Sequence, residues 1–455
     1  MTNRREFIAA AAAAATAGCG EAGRARFRAD GSRGEQTPTS VAGDAAASKR
    51  VPAAPPRNRC PYAGIDWATA HQIKTTSHVH CTTQADLDLL LKRGFGLLTL
   101  SNYYPSAPWC PLAKMKESYW RLHHDFPVVV NGSRRAGPFD WSAIVGEWAD
   151  KLPPEQRAQL PFREGGPLFR PLPEGILEAP NAEHHQFLTE NGKYIDRLHM
   201  NALGSAFASG TFDQRDRFKT WSVGKYAPGT GEFWKTAVSR MIAGLVHPDG
   251  GGVTVNHPTW TSVNRNFLLD LLDYDPRVLG IEVIEGAATN SERYWDWVLA
   301  SGRQCFGFFV PDHSINREDG SFGVNVLVVP ERSVHACLKA YRDGNFYGAK
   351  RGLGELAFTR IAFNGETVEA ETDRPARLEV ITAAGTVRKV EAATAVKWTL
   401  PPDYPGCGPR RGIHMFARVR ATATDGSGEM LFSQPYMLAE ETARMTYRTI
   451  KKAIT

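Results

Sequence analysis

The 455-residue chain has no basic stripe, no long apolar run and no histidine-rich tract, and each absence removes a class of function. Its net charge of +6 is not spread along the chain: residues 1–59 hold ten Lys or Arg against five Asp or Glu, a net of +5, which leaves +1 for the rest. A near-neutral body gives a phosphodiester backbone nothing to bind, so no nucleic-acid partner is expected. The apolar stretch that ends at Ala15 is too short to span a bilayer. Cysteine is sparse, with seven in all; setting Cys19 aside leaves Cys60, Cys81, Cys110, Cys305, Cys337 and Cys407. An even set in an exported chain permits disulfides, and each residue equally suits a small buried apolar position.

The N-terminus reads as an export signal. Asn3-Arg4-Arg5-Glu6-Phe7-Ile8 and the alanines to Ala15 have the paired arginines and short apolar stretch of a twin-arginine leader over residues 1–19. Thr16-Ala17-Gly18-Cys19 is similar to a lipoprotein processing box, the alternative being an ordinary cleavable leader with an incidental cysteine. The expected location is therefore periplasmic, or membrane-anchored through a lipid on Cys19. Residues 20–58, rich in Ala, Gly, Arg, Ser, Thr and Pro without aliphatic periodicity, read as a disordered linker.

The chemistry begins at His78-Val79-His80. On an extended segment residues i and i+2 share a face, so the two imidazoles converge as ligands at a strand end do. The bland reading is two surface histidines near a turn. Four later segments answer it: Glu183-His184-His185, Leu198-His199, Val255-Asn256-His257-Pro258 and Pro311-Asp312-His313-Ser314. Each is a strand-like run meeting a polar or proline turn. Barrel enzymes gather a site at one mouth from ligands scattered over successive strand ends, so the pattern points to a metallohydrolase.

From residue 59 to 352 strand-like runs alternate with helical patterns. These include a helix over Ala85 to Arg93, strands at Gly96 to Leu100, Gly252 to Asn256, Gly280 to Ile284 and Cys305 to Val310, and helices at Phe267 to Leu272, Ser291 to Ser301 and Val334 to Arg342. Such alternation predicts parallel strands with crossover helices. The proline-rich stretch 150–180 reads as an insertion or rim loop. Residues 353–455 change to short strands with turn residues between them, among them Thr367 to Glu371, Ala376 to Ile381, Val387 to Val390 and Val396 to Leu400, which predicts a small β-sandwich followed by a terminal helix over 440–452.

Taken in order, these segments resemble the polymerase and histidinol phosphatase (PHP) family of metal-dependent phosphoesterases over roughly residues 72–350. His78-Val79-His80 and the following helix are similar to the family's opening strand and helix, and Ala182-Glu183 to its strand ending in a bridging carboxylate. Leu198-His199 is similar to its next histidine, and Asn256-His257-Pro258 to its Ala-His-Pro. Gly280-Ile281-Glu282-Val283 is similar to its Gly-Ile-Glu-Val strand, and Asp312-His313-Ser314 to its closing Asp-x-His. The resemblance implies a distorted (β/α)7 barrel and a phosphorylated small-molecule substrate. It implies a divalent metal, for which imidazoles with a carboxylate favour Zn, Mn or Fe. The implied ligands are His78, His80, Glu183, His199, His257 and His313, with Glu183 bridging two ions.

Two departures stand out. Ser101-Asn102-Tyr103-Tyr104 replaces the family's Thr-Asp-His, removing a carboxylate and an imidazole. Asp312 and His313 are adjacent, so on an extended segment they face opposite ways, and His313 is the preferred ligand. Asp312, His184 and Tyr103 are then candidates for proton donor or phosphate contact. His184 and His185 cannot both face the mouth. His123, His124, His247, His335 and His414 read as surface or core histidines, and Arg134 and Arg135 as a solvated pair or an anion contact. A non-catalytic PHP-like binding protein remains the alternative to an enzyme, and carbohydrate binding by the sandwich is a third reading.

Overall fold

In the computed structural model the described residues are 60–81, 83–101, 111–114, 128–130, 133–135, 167, 169–184, 187–191, 193, 195, 198–207, 232–286, 289–351, 356–365, 367–401 and 416–437. They form a mixed α/β protein. Residues 1–59, Asn102, Tyr103, Cys110, His123, His124, His185, Cys407, His414 and 440–452 lie outside the described set, and so do the expectations placed on them. The backbone strand Ser133–Arg135 is described, but not the side chains of its arginines. No described helix is long and apolar enough to cross a membrane.

The alternation expected over 252–310 is present. Strands Gly252–Val255, Val278–Glu285 and Phe306–Val310 pair in parallel, with helices Arg265–Tyr274 and Glu292–Ala300 between them. All three strands are buried from end to end, which is why they read as nearly continuous apolar runs. The first helix buries Leu268, Leu269, Leu271 and Leu272, and the second buries Trp295, Trp297, Val298 and Leu299. Gly280 pairs with Phe306, and a Cβ there would lie 1.9 Å from the Phe306 carbonyl oxygen, so the close approach requires glycine. Met200–Leu203 and Glu183–His184 extend this sheet on its other side with antiparallel pairing.

The strands do not close into the expected barrel among the described residues. Along Phe306–Val310, side-chain amides partner backbone groups that no neighbouring strand takes up. Gln434 accepts from Gly307 N and donates to Gly307 O, both at 2.8 Å, and Asn325 Oδ1 accepts from Phe309 N at 3.0 Å. Buried polar backbone groups need partners, and amide side chains supply them without adding a strand.

The expected C-terminal sandwich also differs from what forms. Its strands continue a larger antiparallel sheet, ordered His71–Thr75, Gly323–Val329, Phe346–Lys350, Met430–Phe432, Phe416–Ala423, Thr367–Thr382, Phe358–Asn364. Two runs read as pairs of short strands are single long ones, Thr367–Thr382 and Gly385–Thr399. The register shift between Glu371 and Ala376 takes up Asp373-Arg374-Pro375 as an irregularity, so the proline ends nothing. Cys60, Cys305 and Cys337 are free thiols, and Cys81, Cys305 and Cys337 are buried.

Candidate metal centre

The site is built where strand ends meet. Val79 is gripped on both sides: its N–H donates to Ser101 Oγ at 2.9 Å and its carbonyl accepts from Ser101 N at 3.0 Å. On the other side Asp312 N donates to His78 O at 3.1 Å and His80 N to Asp312 O at 3.4 Å. Val79 itself is buried in the core, so His78 and His80 both turn to the opposite face, their Nε2 atoms 3.2 Å apart. Helix Gln84–Lys92 follows at once, held by a capping box in which Thr83 and Asp86 bond each other's backbone N–H, and it anchors the segment through Leu87 and Leu90.

Glu183 lies at the centre. Its backbone N–H donates to Ser101 O at 3.1 Å. Oε2 faces His78 Nε2 at 3.4 Å and His80 Nε2 at 3.2 Å, while Oε1 meets His199 Nδ1 at 2.9 Å and His257 Nε2 at 3.4 Å. The Asn256 amide also donates to Oε1, at 3.2 Å. One carboxylate therefore spans two histidine pairs. Asp312 Oδ1 approaches the first pair at 3.3 Å from His78 Nε2 and 3.5 Å from His80 Nε2.

A carboxylate that the expected set left out completes the arrangement. Glu282 Oε1 lies 2.8 Å from His78 Nδ1, and its Oε2 accepts from His257 N at 2.7 Å. The signal for it was an acidic residue in the interior of a strand whose every position is buried. Three groups able to hold a metal ion result among the described residues: His78, His80 and Asp312; Glu183, His199 and His257; and His78, His257 and Glu282.

The electrostatics follow from three carboxylates packed with imidazoles. Burial opposes charging His78, but Glu183, Glu282 and Asp312 outweigh it and hold its pKa well above the usual histidine value. Burial, followed by the charge of His313, pushes His80 down to about 4. His257 is raised, because Glu183 and Glu282 overcome its burial. Asp312 is lowered, the three nearby histidines prevailing over desolvation. Glu285, on the same strand as Glu282, is pushed up to about 8 by burial and then by the Glu282 charge.

The structure thus brings together His78, His80, Glu183, His199, His257 and Asp312. It does not bring His313 or His184 into those groups. The His313 side chain is 67% exposed and stacks on His80 with centroids 4.1 Å apart. The order within the adjacent pair is reversed because Asp312 takes φ +48°, a left-handed conformation that overrides the strand alternation on which the preference for His313 rested. His184 follows the alternation and points away from Glu183, stacking on Phe207 at 5.6 Å. Tyr103 lies outside the described residues. His247 and His335 stack on each other at 4.6 Å, away from the cluster, with His335 bonded to Asp249.

No protein-family model and no curated protein matches the chain. A solved structure from Bacteroides vulgatus, described as a two-domain protein containing a predicted PHP-like metal-dependent phosphoesterase, is similar at 14% identity and a TM-score of 0.37, over 86% of this chain and 98% of that one. A likeness at that level does not establish a shared fold.

Proposed function

We propose that this chain is a metal-dependent hydrolase of small phosphoesters, built on an open, distorted barrel of the PHP type within residues 59–352, with 353–455 as an accessory segment. The observation that carries the reading is the spacing of buried donors. His78 Nε2 and His80 Nε2 lie 3.2 Å apart and 3.2–3.5 Å from Glu183 Oε2 and Asp312 Oδ1. Adjacent ligands around an ion held at roughly 2.0–2.2 Å are themselves roughly 2.8–3.6 Å apart, so the donor set fits a divalent cation. Its imidazole and carboxylate chemistry favours Zn, Mn or Fe. The open-barrel reading draws support from backbone bonds that pass from segment to segment: Gly96 N to Lys74 O, Leu177 N to Gly96 O, Glu183 N to Ser101 O and Asp312 N to His78 O.

In this reading His78, His80, Asp312 and Glu183 hold one cation, while Glu183, His199 and His257 hold another. Such a cation, when bound, lowers the pKa of a water toward neutrality and offsets charge on a transferring phosphoryl group. Glu282 bonds Nδ1 of His78 and leaves Nε2 for the cluster, the work of an outer carboxylate in metal sites. Asn256 steadies Glu183. His313, exposed at the rim beside Asp312, is placed to give a proton to a departing alkoxide. The leader-like residues 1–19 and Cys19 favour export, which cell fractionation with and without Cys19→Ala would test.

Elemental analysis of the purified full-length protein should find stoichiometric Zn, Mn or Fe, lost in His80→Ala and His257→Ala. Phosphomonoesters and phosphodiesters assayed with Mn²⁺ or Zn²⁺ should then be hydrolysed by the wild type. Protein that binds no cation sinks the reading. Bound metal with no ester turned over leaves the non-catalytic binding protein in its place.

A further inference from the structure

Trp260 is 58% exposed, the most exposed large apolar side chain among the described residues, and it stands three residues after His257. Its ring lies at 85° to His257 with centroids 4.9 Å apart, and at 62° to His199 at 6.1 Å. With more than half of its surface in water, the indole offers apolar area to solvent beside the cluster.

The position is not that of a loose surface residue. Trp260 sits on the four-residue helix Pro258–Thr261, bracketed by two non-glycine residues at positive φ, His257 at +29° and Ser262 at +54°. Such conformations are costly and persist where surrounding contacts impose them. Those contacts are visible. Thr261 binds the His257 carbonyl through both its N–H and its hydroxyl, at 3.0 and 3.1 Å, and Val263 N donates to Pro258 O at 3.1 Å. The Thr259 hydroxyl bonds that of Ser291 at the start of helix Glu292–Ala300. A backbone strained and pinned in this way fixes an indole in water, next to two candidate ligands.

We propose that Trp260 is a stacking platform that selects the substrate: a phosphoester whose alcohol part carries a ring with a flat apolar face, either a nucleobase or a sugar. Stacking on the indole would set the ring against the rim and the phosphoryl group over the donors. The inference rests on the hydrolase reading for the chemistry, but not for the binding.

The test uses full-length protein as wild type, Trp260→Ala and Trp260→Phe. Adenosine 5′-monophosphate and glucose 6-phosphate serve as ring-bearing esters and ethyl phosphate as the ringless reference, with Mn²⁺ present. Binding is read by calorimetric titration and turnover by phosphate release. The wild type should prefer ring-bearing esters, and Trp260→Ala should lose that preference by about tenfold, as removal of one stacking partner does. Trp260→Phe should keep most of it, which guards against a folding defect in the alanine variant. Loss confined to the nucleotide assigns a nucleobase, and loss confined to the sugar phosphate assigns a sugar. Equal ring preference in wild type and Trp260→Ala overturns the platform, as does a wild type that binds ring-bearing and ringless esters alike or binds none. Ring-selective binding without turnover leaves the platform standing and removes the hydrolase; turnover without ring selectivity does the reverse.

Discussion

Two buried clusters of charge among the described residues are balanced by different means. In one, Arg418 is sunk against the ring of Trp295 and meets Asp296 at 2.8 Å and Glu292 at 2.7 Å, while Arg420 bonds Glu292 at 2.8 Å and Glu379 at 2.9 Å. Burial alone would raise the Glu292 pKa, yet the two guanidiniums pull it below the usual range. In the other, the partners described for Glu183, Glu282 and Asp312 are mainly imidazoles. Guanidinium is a permanent cation, so the first cluster is neutralised at every relevant pH. Imidazole changes its charge near neutrality, so the second is neutralised only by protons or by an added cation. One cluster belongs to the architecture; the other can exchange what neutralises it.

The comparison can be broken at four places, taken from the largest expected effect. Arg418→Ala leaves Glu292 and Asp296 short of their shared cation and should lower unfolding free energy by about 3–5 kcal/mol, read by chemical denaturation. A loss under about 1 kcal/mol would show that the network is not the structural cluster of the two.

Next, metal at a hundredfold excess over its dissociation constant should raise stability by about 2.7 kcal/mol. His80→Ala, which removes a ligand of one of the two proposed cations, should reduce that increment. An increment that survives undiminished in His80→Ala takes His80 out of the ligand set.

Glu285 gives the pH dependence. Its folded pKa of about 8 lies above the ordinary 4.5. Below pH 4.5 folded and unfolded chains are both protonated; between 4.5 and 8 the unfolded chain releases its proton and the folded one keeps it. Metal-free wild type should therefore lose stability relative to Glu285→Gln as pH rises through that interval, by about 1–3 kcal/mol, and level off above it. Parallel curves for the two proteins would remove Glu285 from the buried set. The smallest effect belongs to the surface. Arg360 bonds Glu369 and Glu371 on the outer hairpin with its side chain 44% exposed, and Arg360→Ala should cost about 0.5 kcal/mol or less. A cost approaching that of Arg418→Ala would mean that burial is not what distinguishes the clusters.

What could be read in the sequence followed local rules. The parallel strands over 252–310 were legible because strands buried on both faces carry unbroken apolar runs. The convergence of His78, His80, Glu183, His199 and His257 was legible because each stands where a strand-like segment meets a turn. What escaped depended on tertiary geometry. Asp312 enters the cluster through a left-handed backbone that the alternation rule does not anticipate. Glu282 was hidden inside a strand, where an acid looks like an interruption until its partners are known. The Phe306–Val310 edge is met by Asn325 and by Gln434, the latter far along the chain, and neither has a periodic signature. The long hairpin was read as four strands because Pro375 resembles a stop, and a bulge makes it a passenger.

The two backbone bonds between Asp312 and the His78–His80 segment have a consequence for assembly. They join a piece near the start of the folded body to one that follows its last parallel strand, so most of the intervening chain must be in place before they form. A ribosome that has released only the first histidines has not yet made a binding site. On the proposed reading, capture of the cation assigned to His78, His80, Asp312 and Glu183 would be a late event, with the clasp at residue 312 reading the completeness of everything between.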